Sequence, residues 1–174
     1  MLPTLKFLIW QNQNRKYGIM ANKKNTASQV RTAVEKVITD MGYKLWDVTL
    51  YKEGPELILE ISIDKEGGIS IDDCSIVTRA VDPIIDELDP IEDVYSLLVS
   101  SAGSERDLRT PEHLEYAVNN NLTVHVKLFT AFEGAKEYEG KLKSHDSDII
   151  RIAQTEKEIN IPKKIISKIT ARTA

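Results

Sequence analysis

Leu57-Ile58-Leu59-Glu60-Ile61-Ser62-Ile63-Asp64 carries an apolar residue at every odd position. A strict period of two is the signature of a strand with one face in a core. Upstream, Lys52-Glu53-Gly54-Pro55 supplies a turn. Before it, Tyr43 to Tyr51 alternates, with Trp46, Val48 and Leu50 on one face. Earlier still, Val30, Ala33, Val34, Val37, Ile38 and Met41 recur at helical spacing, behind a cap at Asn25 or Thr26. Gly42 stands where a helix wants a left-handed residue at its end. Downstream, Asp64 to Gly68 forms a second turn, and Ser70 caps a second helix with Asp72 and Asp73 in its first turn. Cys74, Val77, Val81, Ile84 and Leu88 mark its buried stripe. Pro83 is expected to interrupt this helix, with Asp82 as a fresh cap and Pro83 at the first position of a new one. Val94 to Ser101 closes the half as a third strand. The order is α-β-β-α-β, with both helices on one face of a small sheet and the other face partly free.

The second half reads differently. Thr110-Pro111-Glu112 starts a short helix that runs through Leu114 and Val118 to Asn119-Asn120-Asn121. Leu122, Val124, Val126 and Leu128 then alternate, as do Tyr138, Gly140 and Leu142. Ile150 with Ile152, and Ile159 with Ile161, give two more short strands. Pro162 to Ile166 reads as a tight helical turn before a last strand, Lys168 to Ala171. Five short strands with one tight turn before the last suggest an SH3-like or Sm-like barrel. The fold class is therefore α+β. Its parts are a basic N-terminal extension over 1–25 that is expected to be disordered, an acidic α/β domain over 26–108, and an Sm-like barrel over 109–174.

Charge is distributed as unevenly as the folds. Residues 1–25 carry five Lys/Arg and no acid; residues 26–100 carry 6 Lys/Arg against 16 Asp/Glu, a net of −10; residues 101–174 carry 12 against 11. A segment at −10 repels a phosphate backbone and attracts a basic partner. Residues 1–19 read as an upstream addition, because Met20-Ala21-Asn22-Lys23-Lys24 resembles an ordinary bacterial start; the alternative is an added strand or helix that docks. They are expected to be dispensable. A single cysteine allows no internal disulfide and suits a reducing cytoplasm, and no apolar run approaches the roughly 20 residues of a membrane span.

Catalytic and cofactor signatures are not found. Gly67-Gly68 lacks the following Gly-Lys-Ser/Thr of a phosphate loop. His113, His125 and His145 lie far apart, and His125 falls on the polar phase of its strand, so a solvated imidazole is expected rather than a metal ligand. Asp72, Asp73, Asp82, Asp86 and Asp89 read as the solvated face of a helix, and Cys74 as a small hydrophobe. No enzyme activity, metal or cofactor is expected.

Gly68-Ile69-Ser70-Ile71-Asp72-Asp73-Cys74, Thr78-Arg79, Asp89-Pro90-Ile91, Tyr95 and Leu98 to Gly103 together resemble the RimP family, over about residues 26–172. The family's junction, roughly Val-Ser-Ser-Pro-Gly-Leu-Asp-Arg-Pro-Leu, stands here as Val99-Ser100-Ser101-Ala102-Gly103-Ser104-Glu105-Arg106-Asp107-Leu108. Ala102 and Asp107 replace prolines and Ser104 replaces Leu, which should loosen the backbone there. The resemblance implies an α/β domain followed by an Sm-like barrel. It also implies a cytoplasmic, monomeric, non-catalytic role in maturing the small (30S) ribosomal subunit, through the twelfth small-subunit ribosomal protein and nearby 16S rRNA. The candidate binding residues are Ser100, Ser101, Arg106 and Arg109 in the junction motif, and Asp72, Asp73, Asp86 and Glu87 on the acidic face. The alternative is a free-standing single-stranded RNA-binding protein that uses the barrel. Such a protein needs aromatic platforms for stacking, and the C-terminal half offers Tyr116, Phe129, Phe132 and Tyr138.

Overall fold

A computed structural model describes residues 25–155 and 157–173. Residues 1–24 of the N-terminal extension, with the expectations attached to residues 1–19, lie outside them, whereas residue 25 already belongs to a helix. The chain divides at Ala102/Gly103 into two compact units, earlier than the boundary at 108/109 that the sequence suggests.

In the first unit, helix α1 covers 25–40, followed by β1 (Lys44–Glu53), β2 (Glu56–Asp64), α2 (Ile71–Leu88) and β3 (Ser96–Ser101). Strand order is β1-β2-β3, with β1 antiparallel and β3 parallel to β2. Val30, Val34 and Ile38 of α1 and Val77, Val81 and Ile85 of α2 bury against Leu45, Val48, Leu59, Ile61, Ile63 and Val99. Both helices therefore cover the same face of the sheet, the face that the odd positions of β2 define. Gly42, at φ +85°, ends α1 in a Schellman arrangement: Tyr43 N–H reaches Ile38 O at 3.1 Å and Gly42 N–H reaches Thr39 O at 2.9 Å.

Several local expectations are corrected. Residue 25 is already helical, and the Thr26 hydroxyl donates to Pro90 O at 3.5 Å instead of capping its own helix. A β-bulge between Leu45 and Asp47 shifts the phase of β1, so Leu45, Val48 and Leu50 face the core and Trp46 occupies the extra position. Helix α2 runs through Pro83 unbroken. Pro83 removes the hydrogen bond to the carbonyl of Arg79, but both residues are exposed, so water can serve that carbonyl. The buried stripe of α2 runs Asp73, Val77, Val81, Ile85, with Cys74 and Ile84 at its margin and Leu88 exposed. Val94 is 96% exposed and precedes β3 rather than opening it.

The second unit contains β4 (Glu105–Asp107), α3 (Pro111–Asn119), β5 (Thr123–Phe132), β6 (Ala135–His145), β7 (Ile149–Ala153), β8 (Glu158–Pro162), a 3₁₀ turn (Lys163–Ile165) and β9 (Ile166–Arg172). They form one antiparallel sheet of order β4-β9-β5-β6-β7-β8. The five strands read from the sequence are present. A sixth, β4, pairs with β9 where Asp107 stands in place of a proline, so residues 105–107 form a strand rather than a loosened backbone. Inward positions repeat along every long strand: Val124, Val126 and Leu128; Tyr138 and Leu142; Ile150 and Ile152; Ile159 and Ile161; Ile169 and Ala171. Thr110 caps α3 by accepting from His113 N–H at 3.3 Å, with Pro111 at the first helical position.

Candidate functional site

With both helices on one side of the first sheet, its other side presents Asp47, Thr49 and Tyr51 of β1, Ile58, Glu60 and Ser62 of β2, and Ser96, Leu98 and Ser100 of β3. The register sets Glu60 opposite Leu98 and Ser62 opposite Ser100. Ser100 Oγ donates to Glu60 Oε1 at 2.8 Å and lies 3.4 Å from Ser62 Oγ; Ser96 Oγ donates to Glu56. Burial, and then the negative charge of Glu60, push the Tyr51 phenol above its ordinary pKa. Ser100 thus belongs to an acidic sheet face, while Ser101, at the next position, is exposed at the end of β3. Sequence reading passed over Glu56, Glu60 and Tyr51. The signal was present in the even positions of β2, where an acid and a serine break what would otherwise be an apolar run.

The acids proposed on α2 separate into two groups. Asp72, Asp86 and Glu87 are exposed. Asp73 is only 7% exposed and is turned inward. Its Oδ1 accepts from Tyr43 OH at 2.7 Å and from Lys65 Nζ at 2.8 Å; its Oδ2 accepts from Ser70 N–H and Ser70 Oγ, each at 2.7 Å. Ser70 Oγ in turn accepts from Asp73 N–H at 3.2 Å, completing a capping box. The hydrogen bond from Lys65, followed by those from Tyr43 and Ser70, holds the carboxyl far below the usual carboxylate range. Asp73 is therefore a structural residue that ties the start of α2 to the turn before it and to the head of β1. At the other end of α2, burial and then Asp86, Asp82 and Asp89 raise the Tyr95 phenol.

Of the junction arginines, Arg106 is buried at 8% exposure. Its Nε donates to Gly103 O at 2.9 Å, and its guanidinium lies 5.7 Å from the Tyr116 ring centre. Arg109 is exposed and pairs with Asp107 at 2.9 Å, while its backbone N–H donates to His113 Nδ1 at 3.2 Å. Asp107 also meets Lys168 at 3.0 Å. Burial pushes the Asp107 carboxyl upward, but Lys168 and Arg109 together outweigh it, and the net shift is downward. Arg106→Ala is expected to cost about 1–2 kcal/mol through the lost charge-assisted hydrogen bond and ring contact. Arg109→Ala, an exposed pair, should cost about 0–1 kcal/mol. Thermal melts of the two variants check this ordering, and equal midpoints would refute it.

The outer side of the second sheet carries charges of both signs. Lys168 lies beside Lys127 and Lys127 beside Glu137; Arg172 lies beside Glu105. His125 Nε2 sits 3.2 Å from Glu137 Oε2, on the outer phase of β5. An open groove of about 1160 Å³ along β6 and β7 is lined by Lys141, Lys143, Lys157, Gln154 and Gly140, among others. No group of three or more His, Cys, Asp or Glu gathers as a metal site among the described residues, and none of their helices is long and apolar enough to cross a membrane.

Comparison with known proteins adds two findings. A crystal structure of the pleiotropic translational regulator Hfq matches with 24% identity, a TM-score of 0.30, and coverage of 34% of this chain and 92% of that one. The RimP N-terminal domain model matches residues 33–105, from within α1 through β3 and the sheet whose open face carries Glu60. Over residues 33–105 the chain is therefore similar to the RimP family.

Proposed function

We propose that the protein is a non-catalytic assembly factor of the small ribosomal subunit, acting in the cytoplasm as a monomer. It would hold the twelfth small-subunit ribosomal protein against the immature particle beside 16S rRNA. The observation that carries the reading is the pairing of a RimP N-terminal domain with a net charge of −10 over residues 26–100. A basic ribosomal protein is the partner such a surface attracts, because complementary charge raises encounter rates and disfavours wrong partners. The free-standing RNA-binding alternative draws less support. Tyr138 is buried with its hydroxyl donating to Phe132 O, and Tyr116 lies under Arg106, so Phe129, at 69% exposure, is the principal exposed ring of the second unit.

The test is a sucrose-gradient profile of a strain lacking the gene. Scarce small subunits, free large subunits and uncleaved precursor of 16S rRNA, all restored by the cloned gene, are expected. A normal profile with normal rRNA processing would overturn the assembly role.

A further inference from the structure

We propose that the open face of the β1-β2-β3 sheet, rather than the outer face of α2, is a docking surface for a basic, extended polypeptide segment. On it, Glu56 and Glu60 receive cationic side chains and Leu98 receives an apolar one. The inference deepens the assembly-factor reading, on which it depends only for the identity of the natural partner.

Three observations carry it. First, both helices of the unit pack on the opposite face, and Leu98 is left 42% exposed at the centre of β3. Second, Glu56 and Glu60 form no ion pair among the described residues; their hydrogen-bond donors are Ser96 and Ser100, which orient the carboxylates without neutralising them. Third, the register sets a charge beside hydrocarbon: Glu60 lies opposite the exposed Leu98, while Ile58, between the two glutamates on β2, is buried at 8% exposure and floors the face. A strand-like segment with cationic and apolar residues in alternation has the matching period of two.

The sign of the charge decides the class of occupant. An RNA backbone and an anionic lipid surface are both repelled by unpaired carboxylates, whereas a basic segment is attracted. Order decides between the two acidic faces. Glu56 and Glu60 are each held by a serine hydroxyl of the neighbouring strand, so their carboxylates are preorganised for a ligand. Arg79, an exposed cation, lies between Asp72 and Asp86 on α2.

The test uses the full chain and three fluorescent probes: a decapeptide of alternating Arg and Val, the same peptide with Glu for Arg, and a ten-nucleotide oligouridylate. Anisotropy titrations should show binding of the Arg peptide alone, weakening as salt rises. The double variant Glu56→Gln/Glu60→Gln should lose at least about tenfold in affinity, and Leu98→Ser about threefold. The triple variant Asp72→Asn/Asp86→Asn/Glu87→Gln should stay within about twofold of the parent. Should the double variant melt early, Ser96→Lys, which sets a cation beside Glu56 from an exposed position, must weaken the Arg peptide instead. Loss in the helix triple with retention in the sheet variants would overturn the proposal, as would binding of the oligouridylate to this face or no binding of the Arg peptide. A normal gradient profile in the deletion strain refutes the assembly role and leaves the peptide result standing. Undiminished peptide binding by the sheet variants refutes this site and leaves the assembly role standing.

Discussion

Gly140→Ala is expected to lower the melting midpoint by about 10 °C, the largest effect of adding a single methyl group in the second unit. The reason is close approach rather than backbone strain. A Cβ at Gly140 would lie 2.5 Å from the carbonyl oxygen of Ala153 and 3.1 Å from its carbon, closer than such atoms tolerate. That carbonyl belongs to β7, whose Ala153 is paired with Lys141 on one side and Glu158 on the other. Gln154 N–H also donates to Lys157 O at 2.9 Å. The neighbour is therefore backbone held from both sides and cannot swing away as a flexible side chain would. Overpacking of this kind costs about 1–3 kcal/mol, and each 1 kcal/mol moves the midpoint of a domain this size by about 4–8 °C. Gly134→Ala is the informative control. Gly134 has open space around it but a φ of +86°, so its penalty is conformational, about 1–2 kcal/mol for a left-handed residue. A Gly140→Ala midpoint within about 2 °C of the parent would mean that β6 and β7 are not packed as closely as this register requires.

The parts of the fold legible in the sequence are those where one physical rule acts alone. The odd positions of β2 and the stripe Val30, Val34, Ile38 obey a single burial requirement, and all are buried. The Ile pairs of β7 and β8 were legible for the same reason. What escaped is where two requirements compete. Trp46 and Leu45 are adjacent and both buried because a bulge inserts one residue, an event with no compositional signal. Pro83 argues for a helix break only if its lost hydrogen bond is buried, and solvent on that side removes the argument. Strand β4 is three residues of Glu-Arg-Asp with no alternation of hydrophobicity; it exists because β9 offers it an edge.

The candidate site was legible to a similar degree. The net charge of the first unit pointed to a basic partner, and Ser100 was picked out from the junction motif. The acidic residues chosen with it were those of α2, because clustered aspartates in one helix are easy to see in a linear sequence. Glu60 draws its hydroxyl partner from Ser100, forty positions away, through a parallel strand pairing. Such a neighbourhood is a property of topology, and no local pattern encodes it. Asp73 shows the converse. It lies in a run of acids, yet it is the one whose carboxylate is enclosed, because the third helical position of a capping box must turn back toward the cap.

Replacing that residue should give the largest loss of stability of any polar substitution in the first unit. Asp73→Asn leaves four donors, from Tyr43, Lys65 and twice from Ser70, converging on a side chain that now has one acceptor and brings a donor of its own. In either amide orientation the NH₂ group faces a donor, the Lys65 ammonium or the Ser70 N–H. Ser70→Ala removes one arm of the box and should cost about 1 kcal/mol; Asp73→Asn should exceed it. The pH dependence separates this account from simple loss of packing. Because the folded carboxyl titrates below its unfolded value, its contribution is complete above about pH 4, the pKa of an unfolded Asp. It is lost as pH falls below that toward the folded value. The midpoint difference between parent and Asp73→Asn should therefore be constant from pH 7 to pH 5 and shrink as the solution is taken toward pH 2. The other carboxylates titrate in both proteins and cancel in the difference. A difference that persists undiminished at pH 2 would show that Asp73 stabilises the unit by its shape and not by its charge.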